Sequence, residues 1–221
     1  MLSPVPRAET RAYTNVAYWT GPTVDLPPPA RRRADLFTAL GRRRTTQPTR
    51  RLSRAELATL CWFAGKDLAH RRVGGDATWV HRALPSAGGC HPVDLIVRGV
   101  TGLDNRWWRY DSRTHSLSAV KVRSIRALNR FHHAIDVVRS TNDAATTIWM
   151  VIEPGRTSRK YANAHSLVWR DAGVVLAGIA LVAAAMNFAC RPLGMTGEPE
   201  LSAALGFKAL RGAGGLLVGH K

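Results

Sequence analysis

Cysteine is scarce in this chain: three residues in 221, Cys61, Cys90 and Cys190, none close to another in sequence. That excludes a disulfide framework and fits a reducing compartment, so a cytoplasmic location is expected. Acidic residues are also few, 15 Asp and Glu against 32 Lys and Arg, for a formal net charge of +17. Lysine is nearly missing from the basic set, with five against 27 arginines. Arginine stays charged and grips phosphate or carboxylate through paired hydrogen bonds, so a phosphate-bearing or acidic partner is the first expectation. A GC-rich coding bias is the bland account of the same excess. The 45% apolar content is enough for a real core and excludes a disordered basic tail.

No apolar run follows a basic start at the N-terminus, so no secretory signal is read there. Ala172 to Cys190 is the one uncharged stretch near membrane-spanning length. Its small residues and Asn187 argue for a buried central helix and no membrane contact. Residues 1–30 read as an extended lead-in closing on Leu26-Pro27-Pro28-Pro29, and residues 31–221 as a single domain. Charge concentrates in Arg31, Arg32, Arg33, Arg42, Arg43, Arg44, Arg50, Arg51 and Arg54. Ser53 followed by Glu56 predicts a capping box at the start of a helix that Gly65 ends. Strands are predicted at residues 93–97, at WWRYD, at LSAVKV, at 146–152 and at 215–219. Helical spacing marks residues 124–140, and a short helix is expected near residues 201–205. Helices and strands mix without βαβ alternation, so the class is α+β.

Most chemical motifs fail. GAGGLLVG near the C-terminus lacks the helix and distant acid of a dinucleotide fingerprint, and no Walker-type loop occurs. Cys90-His91 and His132-His133 are adjacent pairs, without the spacing metal ligands need. Ser86 is not framed as a hydrolase nucleophile. The arginines are not interleaved with aromatics, so a nucleic-acid partner is disfavoured.

What remains is an ordered set of segments. A turn, Gly41-Arg42-Arg43-Arg44-Thr45-Thr46, precedes the capped helix; Leu84-Pro85-Ser86-Ala87-Gly88-Gly89 precedes a strand; Lys160-Tyr161 precedes the long apolar helix; and a strand closes on Val218-Gly219. In this order the chain resembles the nitroreductase-like flavoprotein superfamily, specifically its SagB-type dehydrogenase branch, from about Leu26 to the C-terminus. That branch includes the azoline dehydrogenases of thiazole- and oxazole-modified peptide biosynthesis. The family's Arg-Arg-Ser-x-Arg opening corresponds to Arg43, Arg44, Thr45, Thr46 and Gln47, with Gln47 in place of the last basic residue.

The resemblance implies a central, mostly antiparallel sheet flanked by helices, with a long buried helix at the core of a homodimer. It implies FMN in clefts between the subunits, held by Arg43, Arg44, Thr45 and Gln47, by Pro85, Ser86, Ala87, Gly88 and Gly89, and by His220 and Lys221. The implied reaction turns a peptide thiazoline or oxazoline into thiazole or oxazole. One hydrogen leaves as hydride to flavin N5; the other leaves as a proton to Lys160 or Tyr161. An azoline-containing peptide is the implied substrate, and a cyclodehydratase that makes the azoline is the implied partner. A reductase of nitroaromatics or quinones using NAD(P)H is the alternative enzyme, and a basic nucleic-acid-binding protein the alternative without catalysis.

Overall fold

All seven residues of the strand Thr146–Ile152 are buried, and the rest of the fold is layered around it. The computed structural model describes residues 2–30, 33–72, 78–139 and 144–221. Arg31 and Arg32 of the arginine-rich segment, and Ser140 at the end of an expected helix, lie outside the described residues. In chain order the strands are β1 (Val5–Pro6), β2 (Trp19–Asp25), β3 (Ala69–Arg72), β4 (Thr78–His81), β5 (Val93–Arg98), β6 (Trp108–Asp111), β7 (Ser116–Val120), β8 (Thr146–Ile152), β9 (Tyr161–Ala162), β10 (Ala189–Pro192) and β11 (Arg211–Gly219). The helices are α1 (Leu36–Arg42), α2 (Arg54–Gly65), α3 (Ile125–Arg139), α4 (Gly155–Ser158), α5 (His165–Ala185) and α6 (Glu200–Leu205).

Seven strands pair antiparallel in the order β10-β11-β8-β5-β6-β7-β2. Two-residue alternation turns Ile148, Met150 and Ile152 of β8 to one face and Trp149 and Val151 to the other. β5 repeats the pattern, with Val93, Leu95 and Val97 opposite Ile96. Leu57, Leu60 and Cys61 of α2 and Val168, Ala172 and Ile179 of α5 close the first face. Phe131 and Ile135 of α3, with Leu201 and Leu205 of α6, close the second. Each fully buried aliphatic or aromatic side chain contributes about 1.5–3 kcal/mol, so both faces are needed to hold the sheet.

The capping box forms as read: Ser53 N–H donates to Glu56 Oε2 at 2.8 Å, and Glu56 N–H donates to Ser53 Oγ at 3.3 Å. Three segments depart from the sequence reading. Residues 19–25 are not irregular but form β2, the sheet's edge beside β7. Gly21 and Pro22 hide the strand in the sequence, and the register shift between Trp19 and Thr23 absorbs them as a bulge. The hairpin β3–β4 was not expected, and His70 and Arg71 give little apolar alternation to announce it. The long helix starts at His165 and ends at Ala185, before Cys190; Asn187, at φ +61°, ends it in the left-handed region and turns the chain back as β10. By length and composition α5 could cross a membrane, yet its inner face lies on the sheet and α2, while only 39% of its apolar stretch is buried.

Burial holds two histidines neutral. His91 and His132 both have pKa values lowered to about 4, and His132 Nε2 accepts from Trp107 Nε1 at 2.9 Å, a bond that protonation removes. Between about pH 6.5 and 4 the unfolded chain binds protons at these positions and the folded chain does not, so stability present above pH 6.5 is lost as the pH falls. Urea midpoints should therefore fall steadily from pH 7 to 4.5. His132→Gln, which keeps an acceptor for Trp107 without titrating, should flatten that slope; an unchanged slope would exclude His132 as its source.

Candidate functional site

Leu84 fixes the start of the segment Pro85–Gly89 by packing against α5 where the helix has Gly178; a Cβ there would overlap a Leu84 methyl carbon. The turn itself is pinned by a carboxylate on the same helix. Ser86 Oγ donates to Asp171 Oδ2 at 2.5 Å, Ala87 N–H donates to Asp171 Oδ1 at 3.2 Å, and Ser86 Oγ accepts from His91 N–H at 2.8 Å. The hydroxyl of Ser86 is thus committed to shaping the turn, which leaves Ala87 to Gly89 as a short 3-10 turn with Gly88 and Gly89 at positive φ.

Lys160 and Tyr161 arrive at this turn from the other side. Lys160 Nζ donates to the Gly88 carbonyl at 2.9 Å, and a Cβ on Gly88 would lie 2.6 Å from the Tyr161 hydroxyl and 3.1 Å from the Lys160 side chain. Gly88, at φ +59°, is therefore required twice, by its conformation and by the closeness of Tyr161. The N-terminal lead-in holds the pair from outside: β1 pairs with β9, Arg7 N–H donates to Lys160 O and Arg11 N–H to Arg159 O, both at 2.9 Å.

The arginine segment and the C-terminus meet elsewhere. Thr46 N–H donates to Cys190 O, Thr49 N–H to His220 O, and His220 N–H to Arg50 O. Arg42, Arg44, Thr46 and Lys221 line a cleft of about 240 Å³ whose apolar side is Ala180, Ala184, Phe188 and Cys190. Arg43, Arg44 and Thr45 are exposed. Gln47 Oε1 accepts from Arg191 at 2.9 Å, while its buried Nε2 has no hydrogen-bond partner. His220 turns its ring toward Glu56, 3.1 Å away, and Lys221 Nζ donates to Asn187 Oδ1 at 2.6 Å. Burial pushes the Cys190 thiol up to about 12 against the opposing charge of Arg43. The cations Arg42, Arg44 and Lys221 and the Thr46 hydroxyl around one small cleft form a donor set suited to a phosphate, while Arg43, Thr45, Gln47 and His220 do not line it.

Within one chain these two groups stay apart. Asp171 and the Ala180–Ala184 stretch lie nine to thirteen residues apart on α5, about 14–20 Å at the helical rise. Two functional features were not found in the sequence. Asp171 carries a weak signal, a lone acid at the head of an apolar helix; Asp94 carries another, an acid inside the apolar run VDLIV. Asp94 is buried and accepts from Tyr18, Arg109 and Arg156. Burial acts to raise its pKa, but the two guanidiniums prevail and hold it well below the ordinary carboxylate range.

No protein-family model matches the chain, and no curated protein matches it. Solved structures do match. A structure assigned as a nitroreductase of Ralstonia eutropha JMP134 superposes with a TM-score of 0.63 at 18% identity, over 99% of this chain and 98% of that one. A second, from Anabaena variabilis ATCC 29413, gives 0.66 at 22% identity over 92% of this chain, which spans 39% of its length. The Escherichia coli microcin synthetase McbBCD complex with truncated pro-MccB17 bound matches at 0.60 and 13% identity, over 80% of this chain and 67% of that one. At these identities the likeness fixes the fold, which is nitroreductase-like.

Asp171→Ala removes the acceptor for two donors of the turn and should cost about 1–3 kcal/mol in urea unfolding. Asp171→Asn, which keeps one acceptor oxygen, should cost less. Equal stability of all three proteins would refute the pinning role.

Proposed function

We propose that the chain is an FMN-dependent oxidoreductase that oxidises thiazoline or oxazoline rings in a peptide to thiazole or oxazole. The observation that carries this reading is the packing of Lys160 and Tyr161 on the Gly88 turn. A flat ring could lie beside the Ala87–Gly89 turn, whose glycines let Tyr161, Lys160 and Trp79 pack close, so that two proton-transfer groups stand next to it. Arg42, Arg44 and Lys221, with the Thr46 hydroxyl, would hold the phosphate end. FMN, when bound, supplies the hydride acceptor, and oxygen is the final oxidant. The chain's own part is to orient the azoline ring and to take the second hydrogen as a proton on Lys160 or Tyr161. The Lys160–Gly88 bond aims the side-chain nitrogen at that place, where as a neutral amine it would take the proton, and the β1–β9 pairing keeps the backbone still beneath it.

A homodimer is part of this reading. Gly173, Val174, Ala177, Leu181 and Ala184 leave one apolar face of α5 open or half-open, and Phe37 of the neighbouring α1 is 79% exposed. A two-fold axis perpendicular to α5 sets the two copies of the helix antiparallel. Such an arrangement would set one chain's Ser86–Asp171 end against the arginine end of the other. A peptide-modifying complex also appears among the similar structures, the microcin synthetase with truncated pro-MccB17. That likeness supports a cyclodehydratase as partner, and three free, buried cysteines suit a cytoplasmic setting. The second reading, an NAD(P)H-dependent reductase of nitroaromatics or quinones, draws on the near-complete overlap with the Ralstonia structure.

The purified protein should be yellow and release FMN on denaturation. With an azoline peptide it should remove two hydrogens per ring, and Lys160→Ala or Tyr161→Phe should each slow turnover about a hundredfold or more while FMN content stays constant. Rapid NADPH oxidation without peptide, unaffected by either substitution, would favour the reductase instead. Ala177→Glu should convert a dimer to monomers in sedimentation; a dimer that persists would place the interface elsewhere.

A further inference from the structure

A second cavity, of about 590 Å³, lies against the same turn. Gly89, Cys90 and His91 form one wall, and Arg159, the residue before Lys160, forms another. Its size is within the range of ligand sites, about 300–1,000 Å³. Most of its charge cancels internally. Arg82 pairs with Asp67 at 2.8 Å; Arg109 and Arg156 both pair with Asp94; Arg109 also reaches Asp111 at 3.4 Å. Every carboxylate lining the cavity is consumed by these three arginines. Arg113 and Arg159 also line it and have no acidic partner among the described residues. Arg159 Nε is in addition buried without a hydrogen-bond partner. A buried guanidinium nitrogen left unmatched costs free energy that a bound anion would recover.

We propose that this cavity receives an acidic side chain of the peptide, close in sequence to the ring being oxidised, through Arg159 and Arg113. The proposal rests on the peptide-dehydrogenase reading and assigns its substrate class: azoline peptides with a neighbouring Asp or Glu. The adjacency of Arg159 and Lys160 in the chain ties the two events, since a carboxylate held by one places the peptide beside the other. Two positive charges facing one carboxylate still leave an attractive site, and guanidinium forks match a planar carboxylate.

The test is binding of capped tetrapeptides, acetyl-Gly-Glu-Gly-Gly-amide and its Gln counterpart, to the 15N-arginine-labelled protein as purified. The Nε–H signals of Arg159 and Arg113 should move saturably with the Glu peptide and stay still with the Gln peptide. Arg159→Gln should weaken Glu-peptide binding about tenfold, the loss of one charge-assisted hydrogen bond. Arg113→Gln, at an exposed position where folding is not at risk, should also weaken it. Equal response to both peptides overturns the proposal, as does a signal shift driven equally by inorganic phosphate. Turnover of azoline peptides separates this failure from that of the function: activity indifferent to a neighbouring Glu or Gln sinks the cavity and keeps the dehydrogenase. Glu-peptide binding by a colourless, inactive protein does the reverse.

Discussion

The carboxylate of Asp94 is the point to which most of the site is tied. It sits in the middle of the sheet, 6% exposed, and accepts from Arg109 on β6, Arg156 on α4 and Tyr18 of the lead-in. Arg156 also meets Glu153, and Glu153 accepts from the Tyr13 hydroxyl and the Val16 N–H. One buried charge thus connects the sheet, the turn that leads to Lys160 and the N-terminal segment that straps Lys160 and Tyr161 in place. Breaking a buried pair from one side costs about 3–5 kcal/mol, because the remaining charges have no water to turn to. That exceeds what any single surface bond in the lead-in contributes, so the lead-in is anchored chiefly at Tyr13 to Tyr18.

A second constraint acts along α5. The helix holds the Ser86 turn near its first third and lines the arginine cleft near its last turn. A rigid helix fixes that spacing more strictly than any loop could, and both groups border its open apolar face. The same residues that make α5 look like a membrane span, uncharged and small, let other elements approach it closely. Gly178 under Leu84 is the clearest case, since a larger residue there would push the turn away from Asp171.

Local features were legible and distant ones were not. The Ser53–Glu56 capping box, the β8 run and the helix α6 depend on neighbours within a few residues, and each stands where the sequence places it. The Gly88 turn and Lys160-Tyr161 could be named from their order along the chain, but nothing in that order says that they touch. Asp171 was hidden because its partner, Ser86, is 85 residues away. Asp94 reads as a polar interruption of a strand until Arg156, 62 residues on, is seen to answer it. The strand β2 was obscured by Gly21 and Pro22, residues that a bulge tolerates and a propensity argument does not.

The near-absence of lysine also acquires a physical meaning. Arg156 donates four hydrogen bonds, to Asn15, to the His91 carbonyl and to both oxygens of Asp94, and pairs with the Glu153 carboxylate as well. Arg139 donates to Ala145 O from a buried position, and Arg191 bridges Gln47 and Val138 O. A lysine, with three donors on one strongly hydrated nitrogen, cannot meet that many fixed acceptors or bear the same burial. Part of the basic excess is therefore structural: these arginines lie inside the fold and offer nothing to a partner. Among the arginines left to recruit an acidic or phosphorylated ligand, Arg113 and Arg159 sit at the cleft beside the Gly88 turn, and Arg42 and Arg44 at the cleft near the far end of α5.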